Sequence, residues 1–120
     1  MRVLFDQGTP APLRNHLPDH HVSTVYELGW NNLKNGELLQ QAEFSGFEVL
    51  VTTDQNLRYQ QNLADRTIAI VVLSTTSWPR IRIFAHHIAN VLASIQPNSY
   101  IEILVPHDGV PGTEFRGQFT

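Results

Sequence analysis

The stretch VLVTTDQNL, residues 49–57, decides how this chain folds. Its first residues are apolar and mostly β-branched, which is typical of a strand that is buried on both faces. The strand stops at two threonines and a single carboxylate, Asp54. Asp and Asn side chains initiate turns, so one interpretation of Asp54 is a turn residue. The other is a metal or phosphate site, because parallel sheets bind ligands at the carboxyl ends of their strands.

Similar short apolar segments lie on both sides of this stretch and alternate with segments of helical pattern. The predicted strands are RVLF (2–5), HVSTVYEL (21–28), FEVLVTT (47–53), TIAIVVLS (67–74) and YIEILVP (100–106). The longest predicted helix covers residues 78–95, where apolar residues recur at helical spacing. This alternation predicts an α/β fold, a three-layer α/β/α sandwich with a mostly parallel five-stranded sheet.

The predicted domain covers residues 1–106, and its last strand is expected at the edge of the sheet. Residues 107–120 contain three glycines and Pro111 and are predicted to form a flexible C-terminal tail. No second domain or repeat is visible in the pattern.

The composition limits the classes of function. The formal net charge is −3, from eight Lys and Arg against eleven Asp and Glu, so overall charge does not indicate nucleic-acid binding. There is no cysteine, which excludes disulfides and thiolate metal sites. The longest apolar run, residues 68–73, is far shorter than a membrane span requires. We therefore expect a soluble, cytoplasmic protein without a membrane partner.

Three acids from separate segments are expected at one rim of the sheet. Asp6 follows the first strand, Glu37 opens a helix, and Asp54 follows the third strand. Each has a simpler interpretation alone, as a cap or as a favourable charge in a first helical turn. Together they predict a site for Mg²⁺ or Mn²⁺, since hard cations prefer oxygen ligands. Three neighbouring polar side chains are predicted to orient those ligands: Thr52, Thr53 and Asn56.

Three segments resemble one family. VLFDQGTP (3–10), LKNGELLQQA (33–42) and VLVTTDQNL (49–57) are similar to the PIN-like proteins, relatives of the PilT N-terminal nuclease domain found in VapC-type toxins. The resemblance implies a PIN-like three-layer fold and a Mg²⁺- or Mn²⁺-dependent endoribonuclease. It also implies that the catalytic, metal-binding acids are Asp6, Glu37 and Asp54.

The same resemblance implies partners. The chain would be the toxin of a toxin–antitoxin system, with an RNA substrate, an antitoxin-like protein partner and a homodimeric state. Arg58 and Arg80 would position the phosphate backbone of the RNA. Trp30 and Tyr59 would stack on its bases.

Two alternatives stay open. Gln7 and Asn56 stand where many PIN-like proteins carry further acids, so the chain could be a non-catalytic module that binds a partner. A receiver-like signalling domain, with Asp54 as phosphoacceptor, also has five alternating strands. That domain requires paired acids after the first strand and a lysine after the fifth. Here Gln7 follows Asp6, and the fifth strand ends at Pro106 and is followed by His107, which disfavours the receiver.

Overall fold

The structure is a computed structural model that describes residues 1–57 and 63–106 in full and the backbone of residues 114–118. Its elements in chain order are β1 (Arg2–Phe5), a 3₁₀ helix (Ala11–His16), β2 (His21–Thr24), α1 (Asn35–Phe44), β3 (Val49–Thr52), β4 (Ala69–Leu73), α2 (Trp78–Ala93), β5 (Ser99–Ile103) and β6 (Glu114–Gln118).

The elements of the described residues form one six-stranded sheet and the helices that cover it. Strands β1 to β5 are parallel, and β6 pairs antiparallel with β5. The order across the sheet is β2-β1-β3-β4-β5-β6. The α/β fold with a mostly parallel sheet, predicted from the sequence, is confirmed.

The far edge of the sheet differs from the prediction. Residues 114–118, expected in a flexible tail, form β6, and β5 is consequently an internal strand rather than an edge strand. Glycine and proline before this segment, and Gly117 within it, conceal it in the sequence, because they are typical of turns. Pairing with β5 satisfies backbone groups that a bare edge would expose to solvent.

Both faces of the sheet are covered, which explains the uninterrupted apolar character of β3. Successive strand residues point to opposite faces. Val49 and Val51 pack with α2 and the 3₁₀ helix on one face, whereas Leu50 packs with α1 on the other. All four residues of β3 are buried.

Helix α1 leads back into the sheet through a left-handed glycine. The helix ends at Phe44, and Gly46 has φ of 85°. This conformation costs glycine little because it has no Cβ. The N–H of Phe47 then donates to the carbonyl of Ala42 at 3.0 Å, so the chain turns directly toward β3.

The connections between β1, β2 and β3 leave one part of the carboxyl edge of the sheet open to a ligand. From β1 the chain passes outward to β2 and then returns to the other side of β1 as β3. Ligands of doubly wound sheets bind in the crevice at such a change of direction, outside the carboxyl ends of the strands. No helix in the described parts of the chain has the length and apolar character needed to span a membrane.

Candidate active site

Asp6 is the first residue after β1 and lies half-buried at the carboxyl edge of the sheet. Its backbone N–H extends the β1–β3 pairing by donating to the carbonyl of Val51 at 3.0 Å. Its Oδ2 accepts the hydroxyl proton of Thr52 at 2.9 Å, and its Oδ1 accepts the N–H of Gln7 at 2.7 Å. Strand pairing and these two bonds therefore fix the position of the carboxylate.

Asp54 makes the turn that one interpretation of the sequence predicted. Its Oδ1 accepts the N–H of Asn56 at 3.0 Å, and its carbonyl accepts the N–H of Leu57 at 3.3 Å. Its Oδ2 accepts a bond from Nδ2 of Asn35, at the start of α1, at 3.3 Å. The turn thus holds the Asp54 carboxylate between the end of β3 and the first turn of α1.

The hydroxyl of Thr52 links the two acids. Thr52 is fully buried. Its Oγ1 accepts the N–H of Asp54 at 3.1 Å and donates its own proton to Oδ2 of Asp6 at 2.9 Å. A hydroxyl has one proton, so accepting from Asp54 leaves that proton for Asp6. A buried side chain therefore connects the carboxylate of Asp6 to the backbone of Asp54.

Gly8 allows the loop after β1 to approach the end of β3. Its φ is 85°, and a Cβ at this position would lie 2.5 Å from Oγ1 of Thr53. Both the backbone conformation and the space require glycine here. Thr53, half-buried, consequently stands beside the loop that carries Asp6.

The surroundings of Asp6 disfavour the charged form of its carboxyl group. Burial raises the pKa of Asp6 above its ordinary value, the hydrogen bonds from Gln7 and Thr52 lower it in part, and the charge of Asp54 raises it further. The net direction is upward. A cation beside the two carboxylates would favour the charged form of Asp6.

A cleft of about 540 Å³ opens at these two acids, and we call it the switch cleft. Its lining comprises Asp6, Gln7, Trp30, Asn31, Asn32, Leu33, Lys34, Asn35, Thr53 and Asp54. Two carboxylates, four side-chain amides and one ammonium group thus share a single concave surface. Such a lining suits a polar, charged ligand rather than an apolar one.

Glu37, the third predicted acid, is not among the residues that line the switch cleft. It is exposed on the first turn of α1 and lines a separate depression of about 390 Å³ with Gln40 and Gln41. Leu38 and Leu39 turn inward to the core, which directs Glu37 outward. Asn35, two residues earlier, is the α1 side chain that reaches Asp54.

The remaining predicted residues have varied positions. Trp30 lines the switch cleft and also packs edge-on against Phe47, with ring centroids 5.9 Å apart. Asn56 contacts Asp54 through its backbone N–H and is exposed. The guanidinium of Arg80 donates to the carbonyl of Val105 at 2.6 Å, so this side chain holds the segment after β5. Arg58 and Tyr59 lie outside the described residues.

Sequence reasoning missed the polar loop that forms one wall of the switch cleft. Residues 29–36, GWNNLKNG, have the composition of a turn-rich loop. This loop follows β2, and β2 is parallel to β1, so the loop begins at the same edge of the sheet as Asp6. Gln7 joins the wall by donating from Nε2 to the carbonyl of Asn31 at 2.7 Å. The pairing of β2 with β1 brings these amides to the cleft, and the sequence of the loop alone does not reveal that pairing.

The chain was compared with family models, with curated proteins and with solved structures, and none of the three comparisons gave a match. Within residues 1–57 and 63–106, no group of three or more acids or histidines is placed to hold a metal ion together. The candidate site therefore consists of a pair of carboxylates with polar neighbours.

Proposed function

We propose that this protein is a Mg²⁺- or Mn²⁺-dependent ribonuclease of the PIN-like kind, which hydrolyses RNA phosphodiester bonds in the switch cleft. The observation that carries the proposal is the pair Asp6 and Asp54, held through Thr52 at the ends of two adjacent parallel strands. The polar lining of the cleft, its two carboxylates and its position at the carboxyl ends of the strands agree with the chemistry that the resemblance implies.

The residues present suit one hard cation. Mg²⁺ commonly binds to proteins through one or two carboxylates and keeps several waters, so a third acid is not required. Asp6 and Asp54 would hold the ion, and its charge would offset the burial and the repulsion from Asp54 that raise the pKa of Asp6. When bound, such an ion lowers the pKa of water and neutralises charge on the phosphate.

The protein's own residues would orient the reactants. Thr52 and Asn35 keep the two carboxylates in place, and the amides of Asn31 and Asn32 offer hydrogen bonds to an incoming nucleotide. Hydrolysis joins the oxygen of one water to phosphorus and breaks one P–O ester bond. The protons of that water end on solvent and on the released ribose oxygen.

The test is calorimetric titration of Mn²⁺ beside cleavage of a mixed single-stranded RNA pool. Asp54→Asn removes one charge with little change of shape, and we expect cleavage to fall at least about 100-fold. Asp65→Asn is the matched control, because Asp65 is exposed and does not line the switch cleft. Absence of Mn²⁺ binding to the wild type at millimolar concentration would refute the proposal.

Glu37→Gln separates the geometry from the family resemblance. Glu37 lines a different depression, so we expect Mn²⁺ affinity and cleavage to change less than about twofold, the range of a surface substitution. A loss comparable to that of Asp54→Asn would place Glu37 among the metal-binding acids.

A non-catalytic module that binds RNA or an antitoxin-like protein is the second candidate. The favouring observation is that two carboxylates, rather than three or four, line the switch cleft. The same titrations discriminate it, because a module of this kind would bind its partner without Mn²⁺-dependent cleavage.

A receiver-like domain ranks lower. Its strand order fits, but it requires a lysine after the fifth strand, where this chain has Leu104 and Val105. The lysine of the cleft comes from the loop before α1.

A further inference from the structure

We infer that Lys34 binds a backbone phosphate of the RNA at the mouth of the switch cleft, an inference that rests on the proposed function. Lys34 lines the cleft together with Asp6 and Asp54. It is the single lysine among the eight Lys and Arg residues of the chain. The contact would be an ammonium–phosphate pair, which supplies affinity without base specificity.

The other cations of the described chain are committed elsewhere or lie away from the cleft. Four arginines are held by contacts within the chain: Arg2 over the Phe47 ring, Arg14 to Glu27, Arg66 to Glu43, and Arg80 to Val105. Arg82 is exposed on α2 and does not line the cleft. Lys34 is thus the only cation in the described part of the chain that lines the switch cleft.

The Lys34 side chain is not needed by its own fold. Its backbone carbonyl accepts the N–H of Leu38 at 2.7 Å, which anchors the residue at the start of α1. Its side chain is exposed and forms no ion pair with the described residues. Asp54 instead takes its bonds from Asn35 and Asn56, and Asp6 takes its bonds from Gln7 and Thr52.

An ammonium beside two carboxylates that it does not pair with suits a ligand of opposite sign. With one divalent cation added, the formal charges of Asp6, Asp54, Lys34 and the ion sum to +1. That balance suits one phosphodiester, whose charge is −1. Lys34 would hold the phosphate at a distance from the metal-binding acids, so it would contribute to substrate affinity and not to metal affinity.

The experiment measures RNA binding without hydrolysis. A fluorescent 12-nucleotide single-stranded RNA is titrated in EDTA with protein carrying Asp6→Asn and Asp54→Asn, which removes metal binding and carboxylate repulsion. We compare the RNA affinity of this parent protein with that of its Lys34→Ala, Lys34→Arg and control Arg82→Ala variants between 50 and 200 mM KCl. One lost phosphate contact lowers the slope of log affinity against log salt by about 0.7 and weakens binding about fourfold near 0.15 M.

We expect that loss for Lys34→Ala alone, with Lys34→Arg retaining the slope and Arg82→Ala unchanged. Equal slopes for Lys34 and Lys34→Ala would overturn the inference, as would no RNA binding in the parent background. A second measurement uses wild-type protein with ¹³C-labelled lysine, which has one side-chain Cε signal because Lys34 is the only lysine. That signal should move on addition of the same RNA in EDTA, and an unmoved signal would also overturn the inference.

The result is separable from the fate of the proposed ribonuclease. Lys34-dependent RNA binding in a protein that neither binds Mn²⁺ nor cleaves RNA would retain the phosphate contact and reject the hydrolase. Mn²⁺ binding and cleavage with an unchanged KM in Lys34→Ala would retain the hydrolase and reject Lys34.

Discussion

Glu43 and Asp6 lie near opposite ends of the strands, and the rest of the chain gives them different partners. Near the amino ends of the strands, Glu43 forms an ion pair with Arg66 at 2.9 Å and accepts the N–H of Thr67 at 2.6 Å and of Ile68 at 3.2 Å. At the carboxyl ends, Asp6 has two hydrogen bonds and a second carboxylate as its neighbour.

The pKa values of these two acids move in opposite directions. Burial acts to raise the pKa of Glu43, but the bonds from Arg66, Thr67 and Ile68 outweigh it and hold the pKa below its ordinary value. The pKa of Asp6 is raised, by burial first and by Asp54 in addition. Glu43 thus has its cation within the chain, whereas Asp6 forms an ion pair with none of the described residues. A charged acid without a partner suits the cation site proposed above.

The largest expected effect on stability tests this contrast directly. Glu43→Gln removes the charge that compensates Arg66 and weakens several bonds, so the free energy of unfolding should fall by about 2 kcal/mol. Asp6→Asn removes a disfavoured charge but replaces one acceptor oxygen by an amide donor, so it loses one of the bonds from Gln7 and Thr52. These effects oppose each other, and stability should change by less than about 1 kcal/mol. Urea unfolding at pH 7 measures both. A larger loss for Asp6→Asn would show that Asp6 is a structural acid.

The pH dependence of stability should have opposite signs for the two acids. Asp6, with a raised pKa when folded, contributes stability that is fully present below its ordinary value of 3.8 and is lost as pH rises through its folded pKa. Glu43, with a lowered pKa, contributes stability that is present above 4.5 and is lost as pH falls through its folded pKa.

Unfolding of three proteins between pH 3 and pH 7 checks these signs. Relative to wild type, Asp6→Asn should gain stability as pH rises, and the deficit of Glu43→Gln should grow over the same range. Parallel curves for the two variants would remove the distinction between the two acids.

A smaller loss of stability than for Glu43→Gln is expected when the link between Asp6 and Asp54 is removed. Thr52→Val keeps the shape of a buried residue but deletes the hydroxyl that joins Asp54 to Asp6. We expect a loss of about 1 kcal/mol in stability and about tenfold weaker Mn²⁺ binding. Thr52→Ser, which restores the hydroxyl, should recover most of the metal affinity. If Ser and Val bind Mn²⁺ equally, the hydroxyl does not position the acids.

The sequence was sufficient where local pattern and burial coincide. The apolar run before Asp54 identified β3, and helical spacing identified α2, which covers Trp78–Ala93 where residues 78–95 were predicted. Asp6 and Asp54 were placed at one rim because parallel strands end at the same edge. These features depend on periodicity within single segments.

Features that depend on partners distant in the chain were not predictable. The rotation of α1 about its axis, set by Leu38 and Leu39 against the core, decides that Asn35 and not Glu37 reaches Asp54. The polar loop lines the switch cleft because β2 lies beside β1, and β6 forms because it pairs with β5. A short polar strand has no pattern of its own that reveals such pairing.

The position of β6 has a consequence for handling this protein. A chain ending at residue 106, the boundary that the sequence suggests, would uncover the full length of β5. That strand, Ser99–Ile103, has four of its five residues buried, including Tyr100 and Ile101. Exposed apolar strand edges pair with other chains, so the shortened protein should self-associate and precipitate.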